Sequence, residues 1–171
     1  INVTDGSIGE QVGGGCEGAT CTGVDTNARD LTKSVNTRIA GKINAKADSD
    51  INLASINSDM RVDQIKSNDG RVILLADSKV KGQSAYSILN ASTNKAKANV
   101  VGKGVSLIAS GSIGADGNEL VIEQTGGSKY GVDFLTKTGD INVKTLGNNT
   151  NVCTIIAKQG NVDIEFTGNV N

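Results

Sequence analysis

The residues that could do chemistry are few. The chain has three cysteines, Cys16, Cys21 and Cys153, and no histidine. Without His there is no Ser-His or Cys-His nucleophile pair and no His-ligated zinc. Cys16 and Cys21 bracket Glu-Gly-Ala-Thr, behind the run Val12-Gly13-Gly14-Gly15. The spacing is loose and no second pair follows, which points away from a metal. It leaves two free thiols or a disulfide formed in an oxidising compartment. The pair is expected in a loop outside regular structure, bonded to each other on export. Cys153 lies in Asn151-Val152-Cys153-Thr154-Ile155-Ile156 and reads as a buried small hydrophobe.

The charged residues offer further readings. Asp48 and Asp50 would share one face of a strand and could hold a cation, and Asp140 and Asp163 form a second pair. Acids on the solvent side of a strand are ordinarily just solubilising. Asp133 with Lys129 or Lys137 could furnish a lyase or glycoside hydrolase groove. Such grooves stack sugars on aromatics, and only Tyr86, Tyr130, Phe134 and Phe166 are present. With no His to move protons and no concentrated acid pair, no catalytic residue, metal ligand or cofactor is expected. Lys33, Lys42, Lys46 and Lys66, then Lys79, Lys81, Lys95 and Lys97, read as a weak docking stripe for acidic glycans or as a solvated, edge-protecting face. The interleaved acids favour the second. Gly102-Lys103-Gly104 lacks the spacing of a phosphate loop.

Composition narrows the elements that must carry these residues. The 171 residues include 17 basic and 18 acidic ones, a net charge of −1. That balance lacks the basic face needed for nucleic acid or an anionic membrane. No apolar run is long enough to span a bilayer, and no signal peptide is visible. The opening Ile1-Asn2-Val3 reads as a processed product or an excised fragment. Aromatics are 2%, Pro is absent and Gly numbers 22, nearly double its usual ~7%. Ile and Val persist throughout, unlike in disordered chains. Thin, β-branched strands with frequent turns fit this mixture. Only Asp25 to Lys46 tolerates a helix, and Gly41 interrupts it.

Internal repeats give the architecture. Phe134 to Val143 aligns without gaps with Ile155 to Ile164, an offset of 21 residues, and Ile51 to Val72 repeats that offset. Ile65, Gly70, Val72 and Leu74 occupy equivalent positions in an earlier copy. The shared core is Gly, any residue, Ile or Val, any residue, then an aliphatic residue. The two apolar positions point to one side of a strand, and Gly supplies a corner. Ile51, Leu53, Val72, Leu74, Val105, Leu107, Ile141, Val143, Val162 and Ile164 are therefore expected inside. Val162→Asp should destabilise strongly, and Asn161→Asp should be nearly silent. The intervals from Val72 to Val105 and from Val105 to Ile141 are 33 and 36 residues. Each leaves room for an extra turn, centred near Ile88 and Val121. One such repeat cannot bury a core alone, but stacked repeats can. The predicted fold is all-β: a right-handed parallel β-helix with turns of about 16–21 residues. Asn at its corners would form ladders. Residues 1–34 are expected as an irregular cap or Gly-rich loop, and residues 35–171 as the repeat region.

One stretch carries a family resemblance. Ser110-Gly111-Ser112-Ile113-Gly114-Ala115-Asp116-Gly117-Asn118-Glu119-Leu120-Val121-Ile122 resembles the signature of filamentous-haemagglutinin-like and leukotoxin-type large adhesins. Gly126-Gly127 and then Leu135-Thr136-Lys137-Thr138-Gly139-Asp140-Ile141 follow in the family's order. Asp5-Gly6-Ser7-Ile8-Gly9 resembles a second copy. Glu119 stands where many members carry Pro, and the Cys-bracketed loop has no counterpart. The resemblance implies a bacterial fibre exported by a two-partner or autotransporter route, located outside the cell or at its surface. This chain would be part of its shaft, and would meet an unidentified cell-surface receptor or glycan. The alternatives are a β-helical carbohydrate-active enzyme, a lyase or hydrolase, and the stick of a contact-dependent toxin delivery protein.

Overall fold

A computed structural model describes residues 1–4, 6–9, 34–37, 39–78 and 84–171. The strands in chain order are β1 (Asn2–Val3), β2 (Val35–Thr37), β3 (Ile43–Ala47), β4 (Ile51–Ile56), β5 (Met60–Ser67), β6 (Val72–Asp77), β7 (Ile88–Asn90) and β8 (Val100–Gly102). They continue with β9 (Val105–Ala109), β10 (Leu120–Gln124), β11 (Val132–Thr136), β12 (Ile141–Leu146), β13 (Asn149–Thr150), β14 (Val152–Ala157), β15 (Val162–Phe166) and β16 (Asn169–Val170). Among the described residues the only helix is a single 3₁₀ turn, Gly127–Lys129. Ile43–Ala47, inside the stretch that tolerated a helix, is a strand.

The chain alternates between two parallel sheets. The larger runs β1-β3-β5-β8-β10-β12-β15, with β7 also on β5. The smaller runs β14-β11-β9-β6-β4-β2. β13 and β16 pair separately, also in parallel. Each strand therefore pairs with its counterpart from the next pass of the chain, ~4.8 Å away.

Alternate residues of both sheets face one shared core. In the smaller sheet Leu53, Leu74, Leu107 and Phe134 stand in register. In the larger, Ala45, Ile65, Val100 and Ile122 do so. All belong to one apolar cluster. Each Ile or Leu withdrawn from water contributes about 1.5–3 kcal/mol. Rows of small and medium aliphatics suit closely spaced strands, which explains how the fold manages with few aromatics.

Eight of the ten expected core residues, Ile51, Leu53, Val72, Leu74, Val105, Leu107, Ile141 and Val143, are fully inside. Ile164 packs partly on the core, but Val162 is 50% exposed. It pairs with buried Ile141, yet β15 is an edge strand and lacks a neighbour on its other side. The strong penalty expected for Val162→Asp therefore does not apply to this chain.

Two features of the repeat reading need correction. β6 pairs directly with β9, Val72 opposite Val105, and β9 with β11, Val105 opposite Val132. No extra turn intervenes near Ile88 or Val121, so passes in this sheet run from 18 to 33 residues. Part of the excess lies between Asn90 and Val100, whose Ala98 packs on Val101 and Val121 over the larger sheet. Secondly, Val72 and Ile141 are not equivalent: they enter different sheets. The Gly-x-aliphatic signal precedes strands of both, because both corners bring backbones close. A Cβ on Gly139 would lie 2.6 Å from Gly111 C and Ser112 N of the preceding pass.

Candidate functional site

A buried polar group lies on the outer face of the smaller sheet. Strand phase turns Ser106 of β9, Asp133 of β11 and Thr154 of β14 outward, and pairing sets them side by side. The Ser106 hydroxyl donates to Asp133 Oδ2 at 3.1 Å. Asp133 Oδ1 has no hydrogen-bond partner, although the side chain is only 1% exposed. Burial pushes this carboxyl above the ordinary carboxylate range. The Ser106 hydrogen bond, the Arg71 charge and the Thr154 hydroxyl pull it down without cancelling that effect. Arg71 is itself buried.

A raised carboxyl is the property a general acid needs. The partners expected for Asp133 are directed elsewhere. Lys137 Nζ contacts Asp77 Oδ1 and Oδ2 at 3.0 and 3.1 Å. Lys129 Nζ lies 5.4 Å from the centre of the Tyr130 ring. Phe134 is a core residue and Phe166 sits on edge strand β15. The arrangement anchors one outward, buried side chain to its neighbours.

One acid of each pair serves the backbone. Asp50 Oδ1 accepts the Arg71 N–H at 2.7 Å, and Asp48 accepts from the Asn68 side chain. Asp140 Oδ1 accepts the Asn161 N–H at 2.7 Å, whereas Asp163 stands opposite Asn142. Asp140 belongs to a longer series at one corner. Asp59 Oδ1 accepts from Ser87 N, Ser87 Oγ from Ser112 N, and Ser112 Oγ from Asp140 N, at 2.8, 2.9 and 3.1 Å. Sequence reading missed this series because its members vary between Asp and Ser. The signal that could have found it is the polar residue following each corner Gly: Gly111-Ser112 and Gly139-Asp140. Asn ladders do occur, at Asn149/Asn169 and Asn151/Asn171. Buried Asn99 links three parts of the fold, donating to Asn90 Oδ1 and Asp63 O and accepting from Val121 N.

Lys46 and Lys66 stand in register, exposed, on the larger sheet. Lys103 is tied to Asp69 at 2.6 Å, and that contact holds its ammonium above the usual value. Lys33, Lys79 and Lys81 lie outside the described residues, as do Cys16 and Cys21 and the bridge expected between them. Cys153 departs from expectation: it is half-buried and disulfide-bonded. Among the described residues no three Cys, Asp or Glu side chains gather as a metal-binding set, and no helix is long and apolar enough to cross a membrane. In comparisons with known proteins, no family model, no curated protein and no solved structure matches the chain.

Proposed function

We propose that the chain is a right-handed parallel β-helix and that it serves as a non-enzymatic segment of an extracellular bacterial adhesin shaft. The observation that carries this reading is the continuity of one corner. Asp59, Ser87, Ser112, Asp140 and Asn161 are joined side chain to backbone from pass to pass, beside an unbroken aliphatic core. Such repetition suits an element whose task is length. The acids and lysines that could have formed a reaction centre are spent on corners, cross-strand pairs and solvent. The Gly-Ser-Ile-Gly element fits the same reading: Ile113 is buried in the core, and Gly114, at φ +68, abuts Asn142 O.

Antibodies raised against the purified chain test the reading. Electron microscopy of intact source cells should show labelled fibres projecting from the surface. Label confined to the cytoplasm would overturn it. Turnover of a polysaccharide by the purified chain, abolished by Asp133→Asn, would replace it with the carbohydrate-active enzyme.

A further inference from the structure

The large apolar side chains that meet water are not scattered. Among the described residues they are Ile1, Val35, Ile39, Ile156, Val162 and Val170. Val35 lies on β2, the outermost strand of the smaller sheet at one margin, and Ile39 follows it on the way to β3. Ile1 precedes β1, the outermost strand of the larger sheet at that same margin. Ile156 lies on β14 and Val162 on β15, the outermost strands at the opposite margin, and Val170 lies on β16 of the last pass. Single exposed aliphatics are ordinary on a protein surface. Confinement of all of them to the first and last passes is not.

The same strands lack a neighbour on their outer sides. Such an edge carries unpaired N–H and C=O groups and is a template for another chain. Charged side chains ordinarily blunt it, yet β14, Val-Cys-Thr-Ile-Ile-Ala, has none. On the larger sheet the two margins carry opposite charge. β3 exposes Lys46 and no acid, and Lys42 just before it is exposed too. β15 exposes Asp163 and Glu165 and carries no base. Glu165 is paired within the chain to Lys144 at 2.7 Å, whereas Asp163 stands opposite Asn142.

We propose that these two margins meet: the β14, β15 and β16 margin of one copy takes the β1 and β2 margin of a second copy in the same orientation. The outermost pairs, β1 with β3, β2 with β4, β11 with β14 and β12 with β15, are all parallel. A second copy in the same orientation extends both sheets by more parallel pairing. It brings Ile156, Val162 and Val170 towards Ile1, Val35 and Ile39, and Asp163 towards Lys42 and Lys46. A copy turned end for end, with the two β15 strands together, would pair antiparallel and set Asp163 and Glu165 against their own images, a like-charge contact. The same-orientation contact is heterologous. Each copy keeps a free margin, so copies add in series rather than stopping at two. The contact needs only the two margins and stands apart from where the protein is located.

Sedimentation velocity of the full chain over a range of concentrations tests the contact. The weight-average mass should climb past that of two chains as concentration rises. Charge reversal then identifies the surfaces, with Lys42→Glu plus Lys46→Glu as one variant and Asp163→Lys as the other. These side chains are exposed, and circular dichroism should match the parent. Each variant alone should associate severalfold more weakly, because its two margins then carry like charge. A one-to-one mixture should recover the parent's association, because acidic and basic margins again face each other. Val162→Asp, which the edge position tolerates, should weaken association as well. A single-chain mass at every concentration, or a mass that levels at two copies, would overturn the proposal. So would variants that associate like the parent, or a mixture no better than either variant alone.

Discussion

At the scale of single residues, position within a pass decides more than chemical type. Asp133 is ionisable, yet 1% exposed and only partly satisfied. Its carboxyl is raised in the folded chain. The folded state therefore binds its proton more tightly than the unfolded state does. This contribution is fully present below the unfolded value of 3.8, and is lost as pH rises through the folded value. Asp133→Asn keeps an oxygen for Ser106 but cannot ionise. Thermal melts should show the variant more stable than the parent at pH 7, and the gap closing as pH falls toward 3.8. Each kcal/mol recovered raises Tm by about 2–4 °C in a chain of this size. A gap that widens on acidification would contradict the burial argument. Ser112→Ala makes the complementary case. It removes the acceptor of the Asp140 N–H and should lower stability by about 0.5–1.5 kcal/mol in urea titrations. Neither outcome was legible in the sequence. Asp133 lies on the outward phase, where polar residues ordinarily meet water, and nothing local in the sequence marks its burial.

At the scale of elements, the strands were readable and their grouping was not. Period-two alternation and the corner glycines located Val72–Asp77, Ile141–Leu146 and Val162–Phe166. The same Gly-x-aliphatic corner leads into both sheets, so a repeat alignment slips by half a pass without local penalty. The long loop between Asn90 and Val100 was also hidden. It is docked by Asn99, whose bonds reach Asp63, Asn90 and Val121, partners remote from one another in sequence. Neighbours on both sides of a strand set what a substitution costs. Val143 lies between Leu120 and Ile164 on adjacent strands and is 1% exposed. Val143→Asp should cost several kcal/mol. Val162→Asp, on an edge strand at 50% exposure, should cost less than ~1 kcal/mol. Comparing the two chemical midpoints checks this, and equal losses would contradict the edge assignment.

At the scale of the whole molecule, contacts run chiefly between successive passes, because strands pair with those of the adjoining passes. Stability in such an arrangement is close to a sum of local and nearest-neighbour contributions. The margin with the fewest neighbours should open first. Amide hydrogen exchange should be fastest in Val162–Phe166 and Asn169–Val170, and slowest in Val72–Asp77 and Val105–Ala109. Uniform protection across these strands would indicate that the chain opens only as one unit.

The Asp–Ser corner series has a direction. At every step the oxygen belongs to the residue earlier in the chain and the N–H to the later one: Ser87 on Asp59, Ser112 on Ser87, Asp140 on Ser112, Asn161 on Asp140. For these side-chain bonds, a polypeptide emerging from its amino end arrives at a docking point already in place, and each completed layer is a template for its successor. Growth is vectorial, like threading beads against a stop. A fragment ending at residue 146 retains every side-chain acceptor of this series that its own residues use, and should give the strand signal of its share of the chain in circular dichroism. A fragment beginning at residue 105 offers Ser112 no predecessor, and should give less strand signal per residue.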